Sequence, residues 1–175
     1  MKDSLEQTIQ EGIHFARDIG LPTMLGFSNL LGLLTIGKFF ERDVEADLMF
    51  PYHQLTDDKF REIESDPRYW LTDPSMMPKG IIFFKLGSYR VSYLPIYTFD
   101  KFAFSNISAN AFHVWSKHHF LGNNTITYKG YTYPIPNDPE GFLKSWYGDD
   151  WRDYKKRAKG WNWTEAKNYS EVKLS

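Results

Sequence analysis

The chain has 175 residues, a formal net charge of −1 and no cysteine. The lack of cysteine excludes disulfides, thiol nucleophiles and thiolate metal sites. The nearly balanced charge gives no overall basic field, so we expect no binding to nucleic acid. Apolar residues make up 42% of the sequence, which is enough for one hydrophobic core, and the length favours a single domain over residues 1–175.

The sequence has no recognisable targeting or membrane signal. Its first residues lack the basic region and apolar stretch of an export signal. The longest apolar window, from Leu30 to Phe40, is interrupted by glycines and by Lys38. We therefore expect no integral membrane segment and a cytoplasmic location, with the oligomeric state left open.

Helix and strand signals alternate through the first part of the chain. Ser4 and Gln7 have the spacing of a capping box, which predicts a helix extending toward Ile19. The other elements predicted here are a short strand at 21–27, a helix capped by Ser28 and ending near Gly37, an extended segment at 39–50, and a polar helix that opens at Thr56 and stops before Asp66.

Two hairpins and a helix are predicted in the later part of the chain. Gly87-Ser88 joins strand-like runs at 81–86 and 89–99, and Lys129-Gly130 joins runs at 125–128 and 131–133. Asp138 and Pro139 then provide a cap and a first-turn proline for a helix that ends at Gly148. These elements predict an α+β fold.

Acidic and apolar residues alternate in the run Arg42-Asp43-Val44-Glu45-Ala46-Asp47-Leu48. On a strand, this alternation places Asp43, Glu45 and Asp47 on one face. Three like charges repel one another, and a divalent cation such as Mg2+ or Mn2+ prefers oxygen ligands of this kind. The run therefore predicts a metal site; the alternative is a solvated edge strand whose charges discourage aggregation.

A glycine turn precedes this acidic run. Gly26 is followed by Ser28 and Asn29 at the start of the second predicted helix, where backbone N–H groups can hold a phosphate. The turn and the acids together predict a phosphoryl-transfer site, with nucleotide phosphates on the turn and a metal on the carboxylates. Lys38 is a candidate phosphate contact, or it offsets the carboxylate charge.

Two blocks of sequence resemble the LicD and fukutin family. The first block is Phe27-Ser28-Asn29-Leu30-Leu31-Gly32, then Gly37-Lys38-Phe39-Phe40, then Asp43-Val44-Glu45-Ala46-Asp47-Leu48. It is similar to the family pattern G-G-T-L-L-G, G-G-F-I, D-D-D-I-D-L. The second block, Tyr131 to Asn137 followed by Phe142-Leu143 and Trp146 to Trp151, resembles the family's C-terminal motif.

The resemblance implies a nucleotidyltransferase-like mixed β-sheet flanked by helices. It also implies metal-dependent transfer of a phospho-alcohol, such as phosphocholine or ribitol phosphate, from a CDP-linked donor to a glycan acceptor, with Mg2+ or Mn2+. Carried over by position, Glu45 and Asp47 are the metal ligands and Asp43 is the outer acid of the catalytic cluster. Ser28 and Asn29 fall in the donor-phosphate turn.

The chain departs from the family pattern in its acids and its turn. Glu45 replaces the first aspartate of the D-x-D pair, and Phe27 replaces a glycine of the turn. Pro95 stands where the family has an acid from a later strand, and Asp100 lies five residues further along. Two alternatives follow: a catalytically degenerate nucleotide- or glycan-binding module, and a nucleotidyltransferase that acts on a small molecule or a protein.

Three histidines, His113, His118 and His119, are a weaker candidate for a zinc site, because their spacing fits no established ligand pattern. Such histidines more often lie partly buried or at the surface without binding a metal.

Tryptophans and basic residues fill the C-terminal part of the chain. Trp146 and Trp151 are predicted to close the core, whereas Trp161 and Trp163 suit core packing and sugar stacking equally. The basic run from Arg152 to Lys159 is predicted to be mainly a solvated face, with attraction of an anionic donor or polymer as the alternative.

Overall fold

The computed structural model of the chain describes residues 4–68, 82–86, 89–108, 111–157 and 169–170. The fold is α+β, as predicted: helices flank a seven-stranded sheet, and a separate two-stranded hairpin lies beside them. The helices of the described residues are α1 (Leu5–Asp18), α2 (Phe27–Ile36), α3 (Asp57–Ser65), α4 (Pro139–Tyr147) and α5 (Tyr154–Arg157). Within these described segments, no helix has both the length and the apolar character needed to cross a bilayer.

The large sheet is mixed. Its strand order is β1-β2-β4-β5-β6-β9. The seventh strand, β3, pairs with residues 89–93 of β4, whereas β5 pairs with residues 97–99 of β4. Among the strand pairs of this sheet in the described residues, only β2–β4 is parallel. The strands are β1 (Met24–Leu25), β2 (Glu45–Pro51), β3 (Ile82–Leu86), β4 (Tyr89–Phe99), β5 (Phe102–Ser108), β6 (Ala111–Ser116), β7 (Asn124–Tyr128), β8 (Tyr131–Ile135) and β9 (Tyr169–Ser170).

Three helices begin where local capping signals predict. Side chains at the three N-caps each accept a hydrogen bond from a backbone N–H of the first turn, which satisfies a group that has no partner inside the helix. The bonds are Gln7 N to Ser4 Oγ at 3.1 Å, Lys59 N to Thr56 Oγ1 at 3.4 Å, and Gly141 N to Asp138 Oδ1 at 2.9 Å. Both predicted hairpins are also present as antiparallel pairs, β3 with β4 and β7 with β8.

Helix α2 begins differently from the prediction. Gly26, not Ser28, is the N-cap residue, and no side chain caps the helix. The Gly26 N–H donates to the Asp47 carbonyl oxygen at 2.9 Å, so pairing with β2 fixes this end. The Ser28 side chain lies beside Asp43 instead, where it opposes the rise in the pKa of that carboxyl. The helix ends as predicted at Gly37, whose φ of 68° is left-handed.

Helix α1 covers the face of the sheet opposite to the acids. Ala46 and Leu48 of β2 and Val91 of β4 are fully buried there. The Tyr93 hydroxyl donates to the Gly12 carbonyl oxygen of α1 at 2.7 Å. A Cβ on Gly12 would lie 3.0 Å from Val91 Cγ1, so the missing side chain lets the helix approach the strands closely.

An aromatic cluster fills the core between α2, α4 and β6. The Trp146 ring lies 4.8 Å from the Phe27 ring and 5.9 Å from the Trp115 ring, measured between centroids. Trp146 and Trp151 are both buried, which confirms the prediction that they close the core. Trp161, Trp163 and Lys159 lie outside the described residues.

Gly32 marks a close approach between α2 and the segment that follows it. A Cβ at Gly32 would lie 2.6 Å from the Lys38 carbonyl oxygen. Alanine usually favours a helix over glycine by about 1 kcal/mol, but here backbone must move to admit it. We expect Gly32→Ala to lower the free energy of unfolding by about 1–3 kcal/mol in urea denaturation. Thr35→Ala in the same helix is the control, and a more stable Gly32→Ala protein would contradict the close approach.

Candidate functional site

The alternation of β2 separates the acids from the core. Ala46 and Leu48 lie under α1, so Glu45 and Asp47 lie on the opposite side of the strand. We call this side, with Asp43 just before the strand, the acidic face. The parallel pairing places Arg90 of β4 opposite Glu45 and Ser92 opposite Asp47. Two carboxylates of one strand therefore adjoin two polar side chains of its neighbour.

The start of α2 lies against the acidic face. Gly26 bonds to the Asp47 backbone, and a Cβ on Gly26 would lie 3.1 Å from Met49 Sδ. Met49 is on the same side of β2 as Asp47 by alternation. The structure thus brings the predicted glycine turn and the predicted acids together at one edge of the sheet.

Phe27 adopts an unusual backbone conformation at this turn. Its φ is 45°, in the left-handed region that costs about 1–2 kcal/mol for a residue with a Cβ. Its ring packs edge-on against Phe142 and Trp146, and this buried contact holds the strained turn. Such strain is concentrated at functional turns in proteins.

Asn29 fastens α2 to β2. The residue is fully buried, and its Nδ2 donates to the Glu45 carbonyl oxygen at 3.2 Å. Its Oδ1 accepts the Asp47 N–H at 2.7 Å, and Nδ2 also lies 3.5 Å from Asp43 Oδ2. The amide therefore orients the acidic strand through its backbone, in addition to its predicted place in a phosphate-binding turn.

We expect Asn29→Ala to destabilise the fold by about 1–3 kcal/mol, because it leaves the buried Asp47 N–H without an acceptor. Asn29→Asp is expected to lower the free energy of unfolding more at pH 8 than at pH 5, because it adds a carboxylate beside those of Asp43, Glu45 and Asp47. Urea denaturation at the two pH values measures both effects. If the variant loses the same amount of stability relative to the wild type at both pH values, this account of the amide is contradicted.

Glu45 is held by β4. Arg90 Nε donates to Glu45 Oε1 at 2.9 Å, a second guanidinium nitrogen donates to Oε2, and the Ser92 hydroxyl also contacts Oε1. This contact raises the pKa of Arg90. Both oxygens of one predicted metal ligand are therefore already paired in this structure.

Asp47 and Asp43 carry charge that is poorly compensated. Burial raises the pKa of Asp47 well above its usual range, and repulsion from Glu45 and Asp43 adds to the effect. Burial also raises the pKa of Asp43, although hydrogen bonds from Ser28 and Asn29 oppose the change. Within the described part of the chain, no donor bonds to the Asp47 carboxylate, so the site favours an added cation there.

The residues fit a divalent cation that takes only one or two carboxylates from the protein. Mg2+ usually binds through one or two carboxylates together with substrate phosphates and water, and Asp47 and Asp43 can supply the carboxylates. Glu45 can join them only by leaving Arg90. No group of three or more His, Cys, Asp or Glu side chains in the described segments is arranged to hold a metal on its own.

Two candidate site residues from the sequence, Lys38 and Asp100, lie away from the acidic face. Lys38 follows the far end of α2, a ten-residue helix about 15 Å long, and pairs with Glu41 at 2.8 Å. Asp100 is in the turn after β4, about 26 Å along the chain from Ser92. Pro95 lies opposite Phe50, so the β4 neighbours of the acids are Arg90 and Ser92, and neither is acidic.

The histidines do not gather at one point. His113 is buried in the aromatic cluster, whereas His119 Nδ1 lies 3.0 Å from Asp138 Oδ2 at the start of α4. His118 is exposed. His113 and His119 therefore have structural surroundings that account for their positions without zinc.

Arg90 and Ser92 are the site residues that sequence reasoning missed. They alternate with the apolar residues Val91 and Tyr93, which signals one polar strand face. Their distance from the acids in sequence, 45 residues for the Glu45–Arg90 pair, hides the contact until the parallel pairing is known.

Comparison with known proteins identifies the fold. No protein-family model matches the sequence, and no curated protein matches it. A solved structure, the lincomycin-bound lincosamide antibiotic adenylyltransferase LnuA, superposes with a TM-score of 0.55 over 81% of this chain and 85% of that one. The chain has a nucleotidyltransferase fold. The two sequences are 16% identical, so the likeness concerns the fold alone.

Proposed function

We propose that the protein is a nucleotidyltransferase that moves a nucleoside monophosphate from a nucleoside triphosphate to a hydroxyl group of a small molecule. The observation that carries the proposal is the position of Asp47 beside the Gly26 turn, within a nucleotidyltransferase fold. A helix start next to the Asp47 carboxylate, to which no donor of the described residues bonds, can receive a phosphate chain and the cation that accompanies it.

The proposed reaction is an in-line displacement at the α-phosphorus. The acceptor oxygen forms a bond to this phosphorus, the bond to the oxygen bridging the α- and β-phosphates breaks, and pyrophosphate leaves. The proton of the acceptor hydroxyl must move to a base. Asp43 is suited to that role because its raised pKa makes it a stronger base than an ordinary aspartate.

The remaining roles follow from position. Backbone N–H groups at the start of α2 and the Ser28 hydroxyl would orient the donor phosphates. Asp47, with Asp43 or Glu45, would hold Mg2+ or Mn2+, which neutralises charge on the phosphates when bound. Asn29 would keep the turn and the acids in register through its bonds to β2.

A second candidate is transfer of a phospho-alcohol from a CDP-linked donor to a glycan. It rests on the two sequence blocks that resemble the LicD and fukutin family, because the later block supplies β8 and α4, which pack beside β1 and α2. The same acids and turn would serve, but the products would differ: a CDP-linked donor releases CMP.

A nucleotide- or glycan-binding module without catalysis is a third candidate. It is supported by the pairing of Glu45 with Arg90 and by the absence of an acid on β4 next to Glu45 or Asp47. Such a module would bind its ligand with or without a divalent cation.

The test combines binding with product analysis. The protein is heated with each common ribonucleoside triphosphate, CDP-choline or CDP-ribitol, in Mg2+, Mn2+ or EDTA, because a ligand of the native state raises the melting temperature. Stabilising donors are then incubated with hydroxyl-bearing acceptors, including lincomycin, which the LnuA structure contains. Pyrophosphate and CMP are measured.

The three candidates predict different results. Metal-dependent release of pyrophosphate from a triphosphate supports nucleotidyl transfer, and release of CMP from a CDP-linked donor supports the second candidate. Binding that EDTA leaves unchanged, with no product from any donor, supports the module and contradicts both transferase proposals.

A further inference from the structure

The contact between Glu45 and Arg90 joins a predicted metal ligand to a cation of the protein itself. The two residues are opposite each other in the parallel β2–β4 pair. The guanidinium bonds to both carboxylate oxygens, and the Ser92 hydroxyl bonds to one of them. A divalent cation and Arg90 therefore compete for the same carboxylate.

The pair is accessible. The Arg90 side chain is 40% exposed and the Glu45 side chain 27% exposed, so a ligand at the acidic face reaches both from solvent. A planar guanidinium forms the same two-point contact with a phosphate as with a carboxylate. Arg90 therefore has an alternative anionic partner whenever a nucleotide occupies the start of α2.

We propose that Arg90 binds the donor phosphates, and that Glu45 holds it in position until the nucleotide arrives with its metal. The inference rests on the proposed function. In the exchange, Arg90 would leave the Glu45 carboxylate for a phosphate, and Glu45 would then be available to hold the cation together with Asp47. Each charge keeps an opposite partner throughout, so the exchange exposes no unpaired charge at the half-buried face.

A purely structural ion pair is the competing interpretation. In that case Arg90 would only tie β2 to β4, and its replacement would change stability without a selective effect on ligands. The backbone pairing along Glu45–Pro51 already joins these strands, and Asn29 anchors β2 from the other side. The two interpretations therefore differ in binding, not in folding alone.

The experiment measures binding of two separate probes by isothermal titration calorimetry. Mn2+ is titrated without nucleotide, and each common ribonucleoside triphosphate is titrated both in EDTA without metal and with excess Mg2+, for the wild type and for Arg90→Gln. We expect Arg90→Gln to bind Mn2+ about tenfold more tightly, because Glu45 is released and a nearby positive charge is lost. We expect it to bind the metal-free triphosphate at least about tenfold more weakly, because a bidentate charged contact is lost.

Arg68→Gln is the matched control. Arg68 forms the same two-point contact with Asp66, at 2.8 and 2.6 Å, and its guanidinium lies over the Phe15 ring of α1. This control removes an equivalent ion pair and should leave both affinities unchanged. Arg90→Lys is a second variant that keeps the charge. It should retain wild-type Mn2+ binding but bind the triphosphate more weakly than the wild type.

Opposite changes in the two affinities support the inference. Unchanged affinities in Arg90→Gln, or equal losses of both in Arg90→Gln and Arg90→Lys, would overturn it and leave the structural interpretation. A wild type that binds triphosphate with metal, alongside an Arg90→Gln protein that behaves identically, would overturn this inference but not the proposed function. A wild type that binds no triphosphate under any condition would overturn both.

Discussion

Asp47→Asn should reduce nucleotidyl transfer by at least about 100-fold, the usual cost of losing one group that stabilises transition-state charge, while making the metal-free protein more stable at neutral pH. The two effects have one cause. Asp47 is placed where burial and the neighbouring Glu45 and Asp43 carboxylates disfavour its charge, so the feature that attracts a cation also destabilises the metal-free protein.

The raised pKa of Asp47 determines how the stability advantage of Asp47→Asn changes with pH. The pKa of Asp47 is raised in the native state, whereas in the unfolded chain it is about 3.9. As the pH rises from about 4 through the raised native value, the unfolded chain loses its proton first, and the free energy of unfolding falls. Asparagine carries no such proton, so the stability advantage of Asp47→Asn should be absent below about pH 4 and should grow above it.

Thermal unfolding in EDTA across this pH range measures the effect, and a second series with Mn2+ should raise the melting temperature of the wild type more than that of the variant. Asp100→Asn is a suitable control, because Asp100 is exposed, lies at the far end of β4 and has a φ of 51° that asparagine also tolerates. An Asp47→Asn protein less stable than the wild type at pH 8 would show that Asp47 is not strained.

Local signals predicted the elements that local contacts create. The starts of α1, α3 and α4 depend on Ser4, Thr56 and Asp138, each of which bonds to a backbone N–H three residues later. Such bonds are readable in sequence because both partners lie in one turn. The start of α2 depends instead on Asp47, a residue of another element, and the prediction of a Ser28 cap was wrong for that reason.

The candidate site was predictable on one side only. The alternation of acids along β2 placed Glu45 and Asp47 together, but the side chains opposite them come from the parallel neighbour β4. A parallel pair is joined by a long crossover, and sequence spacing does not fix which strand it will be or in which register. Arg90 is therefore not predictable from the sequence, in which Pro95 and Asp100 are the residues nearest to the position of the family's further acid.

Strands β5 and β6 were not predicted. Their buried faces include polar residues, since Ser105 pairs with His113 and both are fully buried. The alternation of apolar and polar side chains that normally marks a half-buried strand is broken at this pair. Residues 102–116 therefore carry no clear strand pattern, although the two strands form a substantial part of the sheet.

His113 lies in surroundings that oppose its charge. It is fully buried, with its ring 4.3 Å from the Trp115 ring and 4.6 Å from the Trp146 ring. Among the described residues, neither ring nitrogen has a hydrogen-bond partner. Burial lowers the pKa of His113 from 6.5 to about 4, so the ring is neutral in the native protein at physiological pH.

The wild type should lose about 2 kcal/mol of stability between pH 8 and pH 5 through this residue alone. Because the native pKa is the lower one, the unfolded chain takes up a proton as the pH falls below about 6.5 while the native chain does not, and the loss continues until about pH 4. His113→Phe keeps an aromatic ring among the tryptophans but cannot be protonated, so its free energy of unfolding should fall less over the same range.

Urea denaturation at pH 8 and pH 5 measures the difference, with His118→Phe, at an exposed position, as the control. Equal pH dependence in the wild type and His113→Phe would mean that a polar partner, such as a buried water, stabilises the protonated ring in the native core.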